Sequence, residues 1–156
     1  MKELAEEFFT CEHIYFIGRN TDYAASMEGA LKLREVSYIS CEAYAAGELK
    51  HGTISLIEQD SLVVALMGGR ISKKTFSNVK EVRSRGGRVI GICNTSLFSD
   101  DEKNELDRVI PLPASSESLS GLYEGIALQL FAYYIAKKRG CDIDKPRNLA
   151  KSVTVE

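Results

Sequence analysis

At 156 residues, 44% of them hydrophobic and 27% charged, the chain is long enough for one compact domain with a sizeable buried core. Its 20 basic and 22 acidic residues leave a formal net charge of −2, which offers nucleic acid or an anionic membrane no broad attraction. No apolar run approaches the roughly 20 residues of a membrane-spanning helix, and Met1-Lys2-Glu3-Leu4-Ala5-Glu6-Glu7 is too acidic for a signal peptide.

Taken in chain order, a helical pattern over about 2–9 precedes the apolar run Ile14-Tyr15-Phe16-Ile17, which reads as a strand. A second helix is predicted over about 22–38, and a weakly signalled strand near Glu42-Ala43-Tyr44. Further strands are expected at Leu62–Leu66, Arg88–Ile92 and Arg108–Ile110, with a helix at about 72–85 between the first two. Consecutive apolar residues without polar alternation suit strands buried on both faces of a parallel sheet. The last predicted helix, 117–138, has the clearest periodicity. Leu119, Leu122, Tyr123, Ile126, Ala127, Leu130, Phe131 and Tyr134 recur at helical spacing. Gly86-Gly87 and Gly140 are the expected helix stops, and the Ser115-Ser116-Glu117-Ser118 cluster is expected to cap the last helix. Strand and helix in alternation argue a three-layer α/β fold with right-handed crossovers. The closing segment 141–156 does not fit that alternation, and by itself reads as a frayed terminus.

Cys11, Cys41, Cys93 and Cys141 show no C-x-x-C pairing and are expected to be reduced thiols of a cytoplasmic protein. His13 and His51 are far apart, which gives a metal site little support. His13, at the mouth of a strand, reads as structural. Two groups remain as candidates for chemistry. On the second helix Glu28, Lys32 and Glu35 share a sector about 60° wide on an otherwise apolar or small surface. That stripe is either solvated or faces a pocket where a lysine and a carboxylate share proton transfer. Gly47-Glu48-Leu49-Lys50-His51-Gly52 suggests a tight turn that brings an imidazole close to a ligand.

Glu28-Gly29-Ala30-Leu31-Lys32-Leu33-Arg34-Glu35 and the run Glu42–Gly52 resemble the signature of sugar-isomerase (SIS) domains in the glucosamine-6-phosphate synthase family. The end of the chain, Pro146-Arg147-Asn148-Leu149-Ala150-Lys151-Ser152-Val153-Thr154-Val155-Glu156, is similar to that family's C-terminus almost letter for letter. The likeness runs from about Ile14 to the end and is weakest over 68–120. Thr53 and Ala127 stand where many members have proline, and neither is a site residue.

The resemblance implies a five-stranded, mainly parallel, flavodoxin-like sheet in a single SIS domain over 1–156, with 141–156 as an active-site tail. It also implies roles. Members convert fructose 6-phosphate to glucosamine 6-phosphate with ammonia released from glutamine. By motif, Glu35 would be the base that moves a proton between adjacent carbons, and Lys32 would aid that traffic. His51 would open the sugar ring, reaching the site of a neighbouring subunit. Lys151 would form an imine with the open ketose, and Ala150 would line the sugar site through its backbone. No cofactor and no metal are implied. The family's glutaminase domain and the Ser/Thr-rich phosphate loop of its first SIS half have no counterpart in this sequence. The chain is therefore expected to be the second SIS half, inactive alone, whose partners are the first SIS half, the glutaminase domain and a second copy in a homodimer. Two other readings are a non-catalytic sugar-phosphate-binding or assembly module, and a related SIS deglycase or isomerase. The retention of Glu35, His51 and Lys151 argues against the first, the synthase-type tail against the second.

Overall fold

The computed structural model describes residues 1–149. Five strands form one sheet: β1 (His13–Gly18), β2 (Ser40–Ala45), β3 (Leu62–Met67), β4 (Arg88–Asn94) and β5 (Arg108–Leu112). Their order is β2-β1-β3-β4-β5, the flavodoxin-like arrangement, and every adjacent pair is parallel, where the sequence promised only a mainly parallel sheet. In register, Phe16 lies opposite both Ala43 and Val64, and Val64 opposite Ile90. All six residues of the central strand β3 are buried, which is why its sequence is an unbroken apolar run. The edge strand β2 is half-exposed along most of its length, so its signal in the sequence is faint.

Side chains alternate between two cores. Ile14, Phe16, Leu62, Val64 and Leu66 pack under α1 (Lys2–Phe8), α2 (Thr21–Ser37) and α5 (Glu117–Lys138). Ile17, Val63, Ala65 and Met67 pack against α3 (Ser72–Arg83) and the 3₁₀ turn Ala46–His51. Helices thus cover both faces of the sheet, as the three-layer expectation requires.

The helix stops hold: Gly86 (φ 84) and Gly140 (φ 72) adopt the left-handed conformation just past α3 and α5. One short helix, α4 (Asp100–Asn104), was not predicted. It is set by a capping box in which Ser99 Oγ accepts from Glu102 N–H while Glu102 Oε2 accepts from Ser99 N–H. The serine cluster before α5 departs from expectation. Ser116 occupies the N-cap position, but its side chain makes no capping bond; Ser120 instead donates to the Glu117 carbonyl. Among the described residues no helix is long and apolar enough to cross a membrane.

Candidate active site

The last three turns of α2 assemble the charged stripe. Lys32 Nζ lies 3.0 Å from Glu35 Oε2 and 3.7 Å from Glu28 Oε1, so one ammonium serves two carboxylates. The hydrogen bond to Glu35 holds the Lys32 pKa above its ordinary value. Glu35 is the better shielded of the two carboxylates, its side chain 28% exposed against 50% for Glu28. This is a carboxylate hydrogen-bonded to a proton donor and still open to solvent on one side, an arrangement suited to accepting and returning a proton. Beside it, between α2 and α5, runs a groove of about 380 Å³ lined by Lys32, Val36, Ile126, Leu130, Tyr133 and Ile143.

The same end of α2 receives the start of the tail. Tyr38 follows the helix in the left-handed conformation (φ 62), with its N–H on the Arg34 carbonyl at 3.2 Å. Its hydroxyl accepts the Arg147 N–H at 2.9 Å, and its ring lies under the Arg147 guanidinium, 4.1 Å from the centroid. The segment leading toward Ala150 and Lys151 is thus pinned three residues beyond Glu35; Ala150 and Lys151 themselves lie outside the described residues. Nothing in the local sequence pointed to Tyr38. A tyrosine at a left-handed helix stop is uncommon, but that conformation is invisible before the fold is known.

His51 is elsewhere. It closes the 3₁₀ turn Ala46–His51, its side chain 74% exposed and 4.0 Å from Glu48, with Gly52 (φ 147) turning the chain sharply after it. Because α2 runs from the carboxyl end of β1 back to the start of β2, Lys32 and Glu35 sit toward the amino ends of the strands. His51 follows the other end of β2, about 17 Å away along that strand. No hydrogen bond or ion pair among the described residues joins it to Lys32 or Glu35. Among the described residues the candidates therefore fall into two groups, Lys32 and Glu35 on α2 and His51 in its turn. Arg34 ties α2 to the start of β2 by donating to the Cys41 carbonyl at 3.2 Å.

The four cysteines are free thiols. Burial pushes Cys41 up to about 12 and Cys93 up to about 11, so neither supplies a thiolate nucleophile near neutrality. Two carboxylates that the sequence reading passed over, Asp22 and Glu124, are fully buried at the opposite end of α2. A signal for the second exists: Glu124 shares the helical face of Leu128, Phe131 and Ile135, where a charge is out of place.

The SIS domain family matches residues 7–138, and the chain belongs to that family. It is 48% identical, over its whole length, to a glutamine–fructose-6-phosphate aminotransferase [isomerizing] of Clostridium perfringens, of which it spans 26%. Among solved structures it resembles the C-terminal domain of a glucosamine-fructose-6-phosphate aminotransferase from Francisella tularensis. That match has 37% identity and a TM-score of 0.84, covering 93% of this chain and 41% of the other. A glucosamine-6-phosphate deaminase from Thermotoga maritima aligns at 26% identity and a TM-score of 0.73, covering 97% of this chain and 44% of that one. The chain thus spans about a quarter of the curated relative it matches.

Proposed function

We propose that this chain is the second sugar-isomerase half of a glutamine–fructose-6-phosphate aminotransferase and contributes the proton-transfer residues that yield glucosamine 6-phosphate. The observation that carries this reading is the Lys32–Glu35 pair at 3.0 Å beside the pinned start of the tail. In this reading Glu35 takes a proton from one sugar carbon and returns it to the next, while Lys32 balances the charge that develops. Lys151 forms the imine with the open ketose, Ala150 lines the sugar through its backbone, and the sugar phosphate is held by the first half. His51, remote from Glu35 within one chain, serves the site of a second copy in a homodimer. The domain runs over 1–156 with 141–156 as the active-site tail, and the protein works in the cytoplasm.

The separation of His51 from Glu35 supports a site shared between copies, and so does a bare face on α5. Leu119, Leu122, Ile126, Leu130 and Tyr133 follow one another down this helix in the open. Such a stripe suits contact with another SIS half.

Two measurements test the reading. The chain alone, given glutamine and fructose 6-phosphate, is expected to form no glucosamine 6-phosphate. A chimera in which it replaces the matching C-terminal quarter of the Clostridium perfringens relative is expected to form it. Product from the rigorously purified chain alone, or a folded chimera that releases ammonia yet makes no amino sugar, overturns the proposal.

A further inference from the structure

Open parallel sheets hold their ligands outside the carboxyl ends of the strands, where the strand order reverses. In this sheet that place lies between β1 and β3, and the chain fills it with its own carboxylates. Asp22 comes from the first turn of α2 and Glu124 from α5, and both are fully buried. Each takes one backbone N–H from the turn that leaves β3. Glu124 Oε1 accepts from Gly68 at 3.0 Å and Asp22 Oδ2 from Gly69 at 3.3 Å. The approach is close: a Cβ on Gly68 would lie 2.7 Å from Glu124 Oε1, and one on Gly69 2.8 Å from Asp22 Oδ1, so a larger residue at either position would have to displace a carboxylate.

A count of donors fixes the state of the pair. Two of the four carboxylate oxygens have backbone partners, while Asp22 Oδ1 and Glu124 Oε2 are buried without one. Two ionised carboxylates meeting out of water would repel each other and leave both of those acceptors unsatisfied, an expensive combination. One proton removes both penalties, because a protonated Glu124 donates to Asp22. We propose that Asp22 and Glu124 hold a single proton between them as a structural ligand, a latch that fastens α2 and α5 to the turn after β3.

The surroundings agree with this arrangement. Burial pushes Glu124 up to about 8, with the Asp22 charge adding to the effect. Asp22 is likewise raised to about 6, chiefly by burial; the Gly69 N–H works against the rise, the Glu117 charge adds to it, and hydrogen bonds from Thr21 and Glu124 oppose it. Acting on the pair are Glu117 from α5 and Thr21 from α2; Arg70, on the turn after β3, is largely exposed and lies 3.9 Å from Glu117. Arg19, beyond β1, turns instead to Asn78 on α3 at 3.1 Å. At pH 7 the folded pair keeps one proton, whereas unfolded carboxyls, titrating near 4, keep none. The folded state therefore binds more protons, so the stability this pair contributes is full at low pH, falls as pH rises through about 8, and is then lost.

The test uses the whole 156-residue chain. Calorimetric unfolding at pH 7 in buffers of different ionisation heat is expected to release about one more proton from wild type than from Glu124→Gln, whose amide still donates to Asp22. The melting temperature of wild type should fall between pH 6 and pH 8.5, by roughly 4 °C or more, while that of Glu124→Gln stays level over the same range. Infrared spectra at pH 7 should contain the carbonyl stretch of a buried protonated acid in wild type and lose it in the variant. If Glu124→Gln does not fold, Asp22→Asn serves equally, because its amide would donate to an ionised Glu124 and abolish the same proton release. Equal proton release in wild type and variant, or parallel pH slopes, overturns the latch.

Discussion

Glu35→Gln, placed in a full-length enzyme that carries this domain, is expected to slow exchange of the substrate C1 hydrogens with deuterated water by roughly 100-fold or more. Affinity for fructose 6-phosphate should be largely kept. Gln preserves the size of Glu and can still accept the hydrogen bond that Lys32 now gives to Glu35 at 3.0 Å, but it cannot take and return a proton. The site should therefore stay shaped for its substrate while losing the base. An ion pair this exposed contributes little to folding, so if Glu35 were only half of a surface salt bridge the variant would be close to silent. Stability would then change by at most about 0.5 kcal/mol, with the rate intact. Glu28→Gln is the control within the same stripe: Glu28 also approaches Lys32, at 3.7 Å, but is half-exposed and lies one turn before it. Exchange measured by NMR separates the cases. Equal exchange in wild type and Glu35→Gln removes Glu35 from the base role, and a larger loss from Glu28→Gln moves the base there.

That stripe was legible in the sequence because it is local: three charges within two helical turns share a face whatever the helix packs against. The sheet was legible for a related reason. β3, β4 and most of β1 are buried on both sides, and double burial writes itself into the sequence as uninterrupted apolar residues. What escaped depends on partners distant in the chain. Asp22 meets Glu124 only because α2 and α5 pack side by side over the end of β3, and Tyr38 meets Arg147 only because the chain returns past α2 after α5. His51 was legible as a residue but not as a location. The motif named it together with Glu35, while the direction of the β1–α2–β2 crossover puts the two at opposite ends of the strands. Capping was read at the wrong cluster, since Ser99 and Glu102 form the reciprocal bonds that Ser116 does not.

Phe131→Ala is expected to destabilise the folded chain by about 3–5 kcal/mol, enough to lower the melting temperature by roughly ten degrees or more. The reason lies in how α5 divides its apolar residues. Its periodicity read as one continuous stripe, but the helix has two apolar faces. Ala127, Leu128, Phe131 and Ile135 enter the core beneath α1 and α2, with Phe131 only 1% exposed. Leu122, by contrast, is 59% exposed, and Leu119, Ile126 and Leu130 lie open beside it. Truncating Phe131 would empty a space walled by packed strands and helices that cannot collapse to fill it. Leu122→Gln keeps a good helix former and removes nothing from the core, so folding stability should change by no more than about 0.5 kcal/mol. If the bare face meets another SIS half, the same variant should weaken self-association of the purified chain, read by sedimentation over a wide concentration range. The two substitutions are therefore expected to act on different quantities, Phe131→Ala on unfolding and Leu122→Gln on assembly. A wild-type chain that sediments as a monomer at every concentration would remove the assembly role from this face. A large loss of stability from Leu122→Gln would mean instead that the face is packed within the chain.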